Sequence, residues 1–421
     1  MITDIFFARM NQTFLRIGAV SYEGSVFGWD VACNSASAPS SSSPAKEDEP
    51  EIEGLDSNLV FGFHVSVGSM KAIAVSESGK YMICGGMDER IRIFDVGANR
   101  AIGELSGHTG CVTSLQFVGD KFIVSGSEDN NVAIWRVQDW MCVHILGGHK
   151  GSINDLAVHP SGKLALSVSK DNTMKLWNLV QGRCAFTRRL HGPADKVQWS
   201  NDGEMYLLVV GSELQIYAAS DNNTCISSVK MGSRINQAKF VDIGIASTET
   251  KTQYVALICE NKTFSIVDST SKKYFTFSTS DFVGDGRPRD LFCCKPNTDL
   301  DSEEMSLALE DEGDSIVIVT STGRMVVFSA KALVDLNQES ESESSNDASN
   351  FEFAMLSSAT ISAEPRLTGV VAWLPYKSKS DKKMEIKKLQ DENVGTKAKK
   401  SKKKEVEKEE EESNSKKVRF N

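Results

Sequence analysis

Ser167-Val168-Ser169-Lys170-Asp171-Asn172-Thr173-Met174-Lys175-Leu176-Trp177, led by Gly148-His149, is the stretch on which the fold turns. A second copy stands upstream: Gly107-His108, Ser125, Asp129 and Trp135. From His to Trp is 28 residues in one copy and 27 in the other, and in both the Asp lies six residues before the Trp. Each set holds a carboxylate, an imidazole, a hydroxyl and an indole N–H. Buried, these groups need one another as hydrogen-bond partners, Asp accepting from His, His from Ser, and Ser from the indole. Both histidines are therefore read as structural. Asp88 and Phe94 keep half the pattern one repeat earlier.

Working outward, short β-branched runs keep ending in an aromatic or apolar anchor. Phe94, Trp135, Trp177 and Tyr217 follow one another at 41, 42 and 40 residues. Weaker anchors stand at Val267 and Phe328, and an earlier one at Trp29. Trp29 to Phe94 is 65 residues, but the Ser/Pro/Glu stretch Asn34–Ser57 accounts for 24 of them and leaves 41. Val267 to Phe328 is 61, and removing the 20 acidic residues Lys295–Asp314 again leaves 41. Tyr217 to Val267 is 50 and requires a longer loop. Seven anchors at this period predict an all-β fold, a seven-bladed β-propeller of the WD40 type.

A ring of sheets must seal its ends or leave strand edges open. The strands Leu15–Ser21 and Ser25–Trp29 reach an anchor with no inner strand before them, and Arg366–Leu374 holds a lone strand after the last blade. Pairing them closes the ring. The last blade takes its inner strand from Thr368–Leu374, its middle strands from residues 15–29 and its outer strand from Leu59–His64. The propeller is thus expected over residues 1–376, with disordered insertions at 34–57 and 339–349, and a disordered lysine-rich tail over 377–421. Serines in the Glu/Ser run Glu339–Ser349 are flanked by acids, the pattern an acid-directed kinase reads, although a solvated loop suffices to explain it.

The chain has 421 residues and a formal charge of −10. Residues 377–421 hold 16 Lys/Arg against 10 Asp/Glu, so residues 1–376 carry −16: an acidic body and a basic tail. No apolar run approaches the roughly 18–20 residues of a membrane-spanning helix, and Asp4 stands where a secretory signal would carry positive charge. A membrane or secreted protein is not expected. The nine cysteines include no Cys-x-x-Cys pair and read as reduced thiols of cytosol or nucleus. The Asn-x-Ser/Thr triplets at Asn11, Asn222 and Asn261 then carry no glycan.

Catalytic chemistry is missing. Ser78-Gly79-Lys80 and Ser161-Gly162-Lys163 lack the rest of a phosphate-binding loop. His64, His144, His159 and His191 show no metal-ligand spacing, and no nucleophile motif appears. No catalytic residue, cofactor or metal is expected; the chain reads as a binding platform rather than an enzyme. The tail says more. Lys397, Lys399, Lys400, Lys402, Lys403 and Lys404 put six lysines in eight residues, and Lys416, Lys417 and Arg419 follow an acidic block. Such runs serve nuclear import or electrostatic contact with nucleic acid. The run would neutralise about six phosphates, in a salt-dependent way. Lacking interleaved aromatics, it is not expected to read bases.

His159-Pro160-Ser161-Gly162-Lys163-Leu164-Ala165-Leu166-Ser167-Val168, then Asp171, Trp177-Asn178-Leu179-Val180, Gly182-Arg183 and Ala185-Phe186, resemble the central blade of the PAK-kinase-interacting WD40 proteins. The Gly18–Gly28 opening, the strand from Arg366-Leu367-Thr368 to Trp373-Leu374 and the lysine-rich tail are similar to that family as well. The chain departs from it in the insertions 34–57 and 339–349 and in the weak later blades. The resemblance implies a nucleolar factor in assembly of the large (60S) ribosomal subunit. It also implies that some relatives restrain PAK, a kinase activated by small GTPases. On this reading the chain is a monomer within a larger complex. Its partners are pre-60S particle proteins, rRNA through the tail, or a PAK-type kinase, with no membrane involved. The acidic body would hold basic ribosomal proteins. A cullin-ligase substrate receptor is disfavoured, because Ala32, Gly97, Gln138 and Val180 occupy positions three after the anchors where such receptors carry Arg or Lys.

Overall fold

In the computed structural model, each anchored repeat becomes one four-stranded antiparallel sheet. The structure describes residues 13–33, 57–220, 224–242, 253–269, 274–278, 286–294, 314–330, 355–360 and 366–373. The chain divides into two units at Pro375/Tyr376, and all described residues fall in the first.

The strands run in sequence order through six blades. The first holds β4 (Met70–Val75), β5 (Tyr81–Gly86), β6 (Arg90–Asp95) and β7 (Arg100–Ser106). The second holds β8 (Val112–Val118), β9 (Phe122–Ser127), β10 (Val132–Arg136) and β11 (Met141–Leu146), and the third β12 (Ile153–Val158), β13 (Leu164–Ser169), β14 (Thr173–Asn178) and β15 (Arg183–Arg189). The fourth is β16 (Lys196–Trp199), β17 (Met205–Val210), β18 (Glu213–Ala218) and β19 (Cys225–Lys230). The fifth is β20 (Ile235–Val241), β21 (Tyr254–Cys259), β22 (Thr263–Asp268) and β23 (Tyr274–Ser278). The sixth is β24 (Pro288–Cys294), β25 (Ser315–Thr320), β26 (Arg324–Ser329) and β27 (Met355–Thr360).

The seventh blade is discontinuous in sequence. Its order is β28 (Leu367–Trp373), β1 (Thr13–Ser21), β2 (Ser25–Cys33), β3 (Ser57–His64). Each inner strand lies against the next, and β28 lies against both β24 and β4, which closes the ring of seven blades. Closure thus takes the predicted form, with small differences in extent. The inner strand begins at Leu367 and ends at Trp373 rather than spanning Thr368–Leu374, and Ser57 belongs to β3 rather than to the insertion. The connections between each outer strand and the next inner strand share one end of the ring, here the upper rim. The turns between the two middle strands of each blade lie at the same end.

Burial explains the anchors. Trp135, Trp177 and Phe328 are among the largest fully buried side chains, each wedged between its own sheet and a neighbour. At roughly 1.5–3 kcal/mol per buried large side chain, these wedges are the main glue between blades. The seventh blade is held the same way: Ile17, Ala19, Trp29, Leu367 and Val370 pack with Val317, Val319, Met325 and Val327 of the sixth. Gly24 marks its tight turn. It sits at φ +77°, and a Cβ there would lie 1.9 Å from the Ser66 carbonyl oxygen. The long Tyr217–Val267 spacing is explained largely between β20 and β21, where 12 residues separate Val241 from Tyr254, against five between Trp199 and Met205.

One sequence-level expectation changes here. The body is acidic as a sequence, but its described residues are not. The described residues hold 24 Lys/Arg and 22 Asp/Glu, a net of +2. Residues 34–56, 295–313 and 331–354 together hold 3 Lys/Arg and 19 Asp/Glu, and so account for all of the −16 of residues 1–376. The Glu/Ser run 339–349 and the tail 377–421 lie outside the described residues.

Candidate functional site

Both predicted tetrads come together. In the second blade, His108 Nδ1 is 2.8 Å from Asp129 Oδ2, His108 Nε2 is 2.8 Å from Ser125 Oγ, and Trp135 Nε1 donates to Ser125 Oγ at 2.8 Å. In the third, the matching His149–Asp171, His149–Ser167 and Trp177–Ser167 distances are 3.0, 2.7 and 2.8 Å. The partners fix the proton positions. A carboxylate only accepts, so Nδ1 carries the proton; Nε2 of the neutral ring then accepts from the Ser hydroxyl, whose oxygen receives the indole N–H.

Each Asp is held at the upper rim by its own turn. Burial pushes the Asp171 carboxyl up, but the Thr173 hydroxyl, the Lys150 backbone N–H and His149 outweigh it and hold it down to about 2. Asp129 is likewise held low: the Thr109 N–H, His108 and the Asn131 N–H overcome its burial. Burial lowers His149, more than Asp171 raises it, so its neutral form is favoured. These residues tie an outer loop to the blade interior. Their chemistry is that of a clamp, with no open position for a substrate.

The first blade breaks the pattern. Ten residues before its anchor Phe94 stands Cys84, not a serine, and 27 before it stands Val67, fully exposed. Asp88 instead pairs with Arg92, and its Oδ1 is buried without a partner among the described residues. The half pattern seen in sequence is therefore an Asp–Arg pair, since Phe94 offers no N–H. In the remaining blades the position ten before the anchor is a buried Ala19, Leu207, Leu257 or Ile318.

Two polar belts around the inner strands escaped the sequence reading. In one, a side-chain donor reaches a carbonyl on the next blade: Thr113 to Ile153 at 2.8 Å, Asn154 to Ala194 at 2.8 Å, Asn236 to Pro288 at 3.0 Å and Thr368 to Met70 at 2.6 Å. In the other, a side-chain acceptor takes a backbone N–H of the next inner strand. Gln116 receives Val158 at 2.7 Å, Asp155 receives Val197 at 3.2 Å, Gln198 receives Phe240 at 3.2 Å and Asp290 receives Val370 at 2.9 Å. Within this ring burial lowers the Lys196 ammonium, but Asp155, Asp290 and Asp195 outweigh it and keep it raised and charged. Thr113 and Asn154 recur 41 positions apart, a signal that could have revealed the first belt, whereas Gln116, Asp155 and Gln198 stand 39 and 43 apart and differ in type.

The upper rim also presents exposed apolar side chains. Tyr22, Val67 and Met87 stand together where the seventh blade meets the first, and Arg366 stacks on Tyr22 at 4.4 Å while bonding Glu23 at 2.7 Å. Among the described residues no group of three or more His, Cys, Asp or Glu is placed to hold a metal ion. Nor is any helix long and apolar enough to cross a membrane. The tail cations Lys397, Lys399, Lys400, Lys402, Lys403, Lys404, Lys416, Lys417 and Arg419 lie outside the described residues.

Comparison with known proteins agrees with this geometry. The family model "WD domain, G-beta repeat" matches residues 58–95, 99–136 and 140–178. A zebrafish protein named p21-activated protein kinase-interacting protein 1-like is 33% identical over 270 residues, 63% of this chain and 66% of its own length. The chicken protein of the same name is 38% identical over 181 residues, 43% of this chain and 48% of its own. Protein MAK11 of Saccharomyces cerevisiae is 36% identical over 147 residues, 31% of this chain and 35% of its own. The matched stretch thus spans from about a third to just under two thirds of these relatives' lengths. These repeats and these relatives match a PAK-interacting family of WD40 proteins.

Proposed function

We propose that this protein is a non-enzymatic scaffold in assembly of the large ribosomal subunit and the linked pre-rRNA processing, working in the nucleolus. The observation that carries the reading is the lysine run Lys397–Lys404 joined to a propeller matching this family. The run suits both nuclear import and contact with rRNA phosphates. The ring supplies a rigid platform without catalytic machinery, and the acidic stretches, rather than the near-neutral ring, are what a basic ribosomal protein would meet. The test is a tagged full chain beside a chain lacking 397–419, followed by microscopy and sucrose-gradient sedimentation. The deletion is expected to lower nucleolar retention and co-sedimentation with precursor large subunits. Unchanged sedimentation would overturn the reading.

A second reading has its own support in the names of the vertebrate relatives, which are called kinase-interacting proteins. Here the chain would bind a PAK-type kinase and restrain it. Capture of such a kinase without ribosomal precursors would favour this reading, and kinase activity unaltered by added protein would count against it.

A further inference from the structure

We propose that the ring itself carries a phosphate-backbone contact for RNA, separate from the tail, on the upper rim of the third blade. Four cations meet there. Lys150 lies on the loop entering the blade and Lys170 on the turn between β13 and β14; the two loops are tied by the Lys170 N–H to Ser152 carbonyl bond at 2.9 Å. Arg189 ends β15 directly across from Thr173, the residue that opens β14. Lys175 extends along the same end of the blade, so that a Cβ on Gly148 would lie 3.8 Å from its Nζ, which also donates to the Thr187 hydroxyl at 2.9 Å. Lys150, Lys170 and Arg189 are exposed and Lys175 is half-buried.

What leaves these cations free for a ligand is that the nearby carboxylates are bonded to other groups. Asp171 serves His149, Thr173 and the Lys150 backbone, and its carboxyl stays ionised. On the neighbouring blades Asp129 serves His108, Glu128 pairs with Lys71 at 3.1 Å, Asp195 pairs with Arg234 at 2.8 Å, and Glu213 accepts from Ser228 and Gln215. Among the described residues no ion pair includes Lys150, Lys170, Lys175 or Arg189. A cluster of cations outside any ion pair among the described residues, on a rigid rim, fits a row of phosphates, and lacking aromatic side chains for stacking it reads no sequence. Lysine suits such contact as a flexible point charge, and arginine adds a fork for two phosphate oxygens.

This inference deepens the proposed role in an RNA-rich particle and rests on it for biological meaning, but its test uses purified RNA, so the two can fail separately. The full chain is compared with the variant Lys150→Ser, Lys170→Ser, Arg189→Ser for binding to labelled single-stranded poly(U) across a salt series. Three lost contacts should reduce the slope of log affinity against log salt by roughly 2 and weaken binding roughly 50-fold at about 0.15 M salt. The same loss is expected on top of serine substitutions in the Lys397–Lys404 run. The variant Lys150→Arg, Lys170→Arg, Arg189→Lys keeps the charge and should bind like the parent. Unchanged slope and affinity in the serine variant, with the thermal midpoint retained, would overturn the proposal. So would an equal loss of binding to polyglutamate, which would mark the patch as a site for acidic protein.

Discussion

At the scale of single residues, the tetrads concentrate the risk of the fold in a few atoms. Ser167 is the hinge of its set, donating to His149 Nε2 and accepting from Trp177 Nε1 while fully buried. Ser167→Ala removes no bulk but leaves an imidazole acceptor and an indole donor without partners. At about 1–3 kcal/mol per orphaned buried group, the expected cost of the two is about 2–6 kcal/mol. It is read as a lower urea midpoint, and an unchanged midpoint would contradict the hydrogen-bond chain. Acid should act through the same residues. His149 is lowered in the folded state, so the unfolded chain takes up the proton first, and stability falls as pH drops below about 6.5. Asp171 is held down to about 2, so its contribution is complete above the ordinary Asp range and is lost as pH falls through about 2. The urea midpoint should therefore be level above pH ~7 and decline in two stages below it. A midpoint that held or rose on acidification from neutral would refute this. The tetrads were legible in the sequence because buried polar groups need partners of set type and spacing. Where the position is filled by Leu207, Leu257 or Ile318, apolar burial does the same work and leaves no such signature.

At the scale of strands, the blades communicate through their inner edges. Asp290 on β24 accepts from Val370 N–H of β28 at 2.9 Å and from Gln237 Nε2 of β20 at 2.8 Å, so one carboxylate links three successive blades. It is also one of the three carboxylates that keep Lys196 charged. Asp290→Ala is expected to free the β28 amides first. The measurement is hydrogen–deuterium exchange at Val370, faster by about tenfold if the bond contributes about 1.4 kcal/mol. Asp290→Asn, which keeps an acceptor, should show a smaller change. Equal exchange in the parent and the Ala variant would show that packing alone holds the closure. This belt was not legible beforehand. Its members differ in type from blade to blade, Gln116, Asp155, Gln198 and Asp290, and only the register of neighbouring strands shows that they do one job. Strand spacing, by contrast, was legible even in the blades without tetrads, because a wedge at each blade's end needs only an apolar residue at a fixed distance.

At the scale of the whole molecule, closure depends on a strand that arrives last. β28 pairs with β1 over Arg16–Ser21, and Leu367, Val370, Val371 and Ala372 are buried there. The turn above is fixed by the Tyr22 N–H to Arg366 carbonyl bond at 2.7 Å. A chain ending at residue 365 would lose all of this. β1 would become an open inner edge, Val317, Val319 and Val327 would face water, and β24 and β4 would lose the strand between them. At roughly 1.5–3 kcal/mol for each large apolar side chain exposed, the loss rivals the ~5–15 kcal/mol that holds most domains folded. That truncation is expected to be aggregation-prone, with no cooperative thermal transition. A chain ending at residue 376 keeps every described strand of the ring and drops a 45-residue tail of which 26 residues are charged. Its thermal midpoint should match the full chain within a degree or two, since ~1 kcal/mol moves the midpoint of even a large domain by about 2–4 °C. Its net charge would shift from −10 to −16, because the residues removed carry +6. Calorimetry of the two truncations side by side separates the outcomes. A cooperative transition in the 365 chain, or a large drop in the 376 chain, would show that the ring is sealed by something other than the first and last strands.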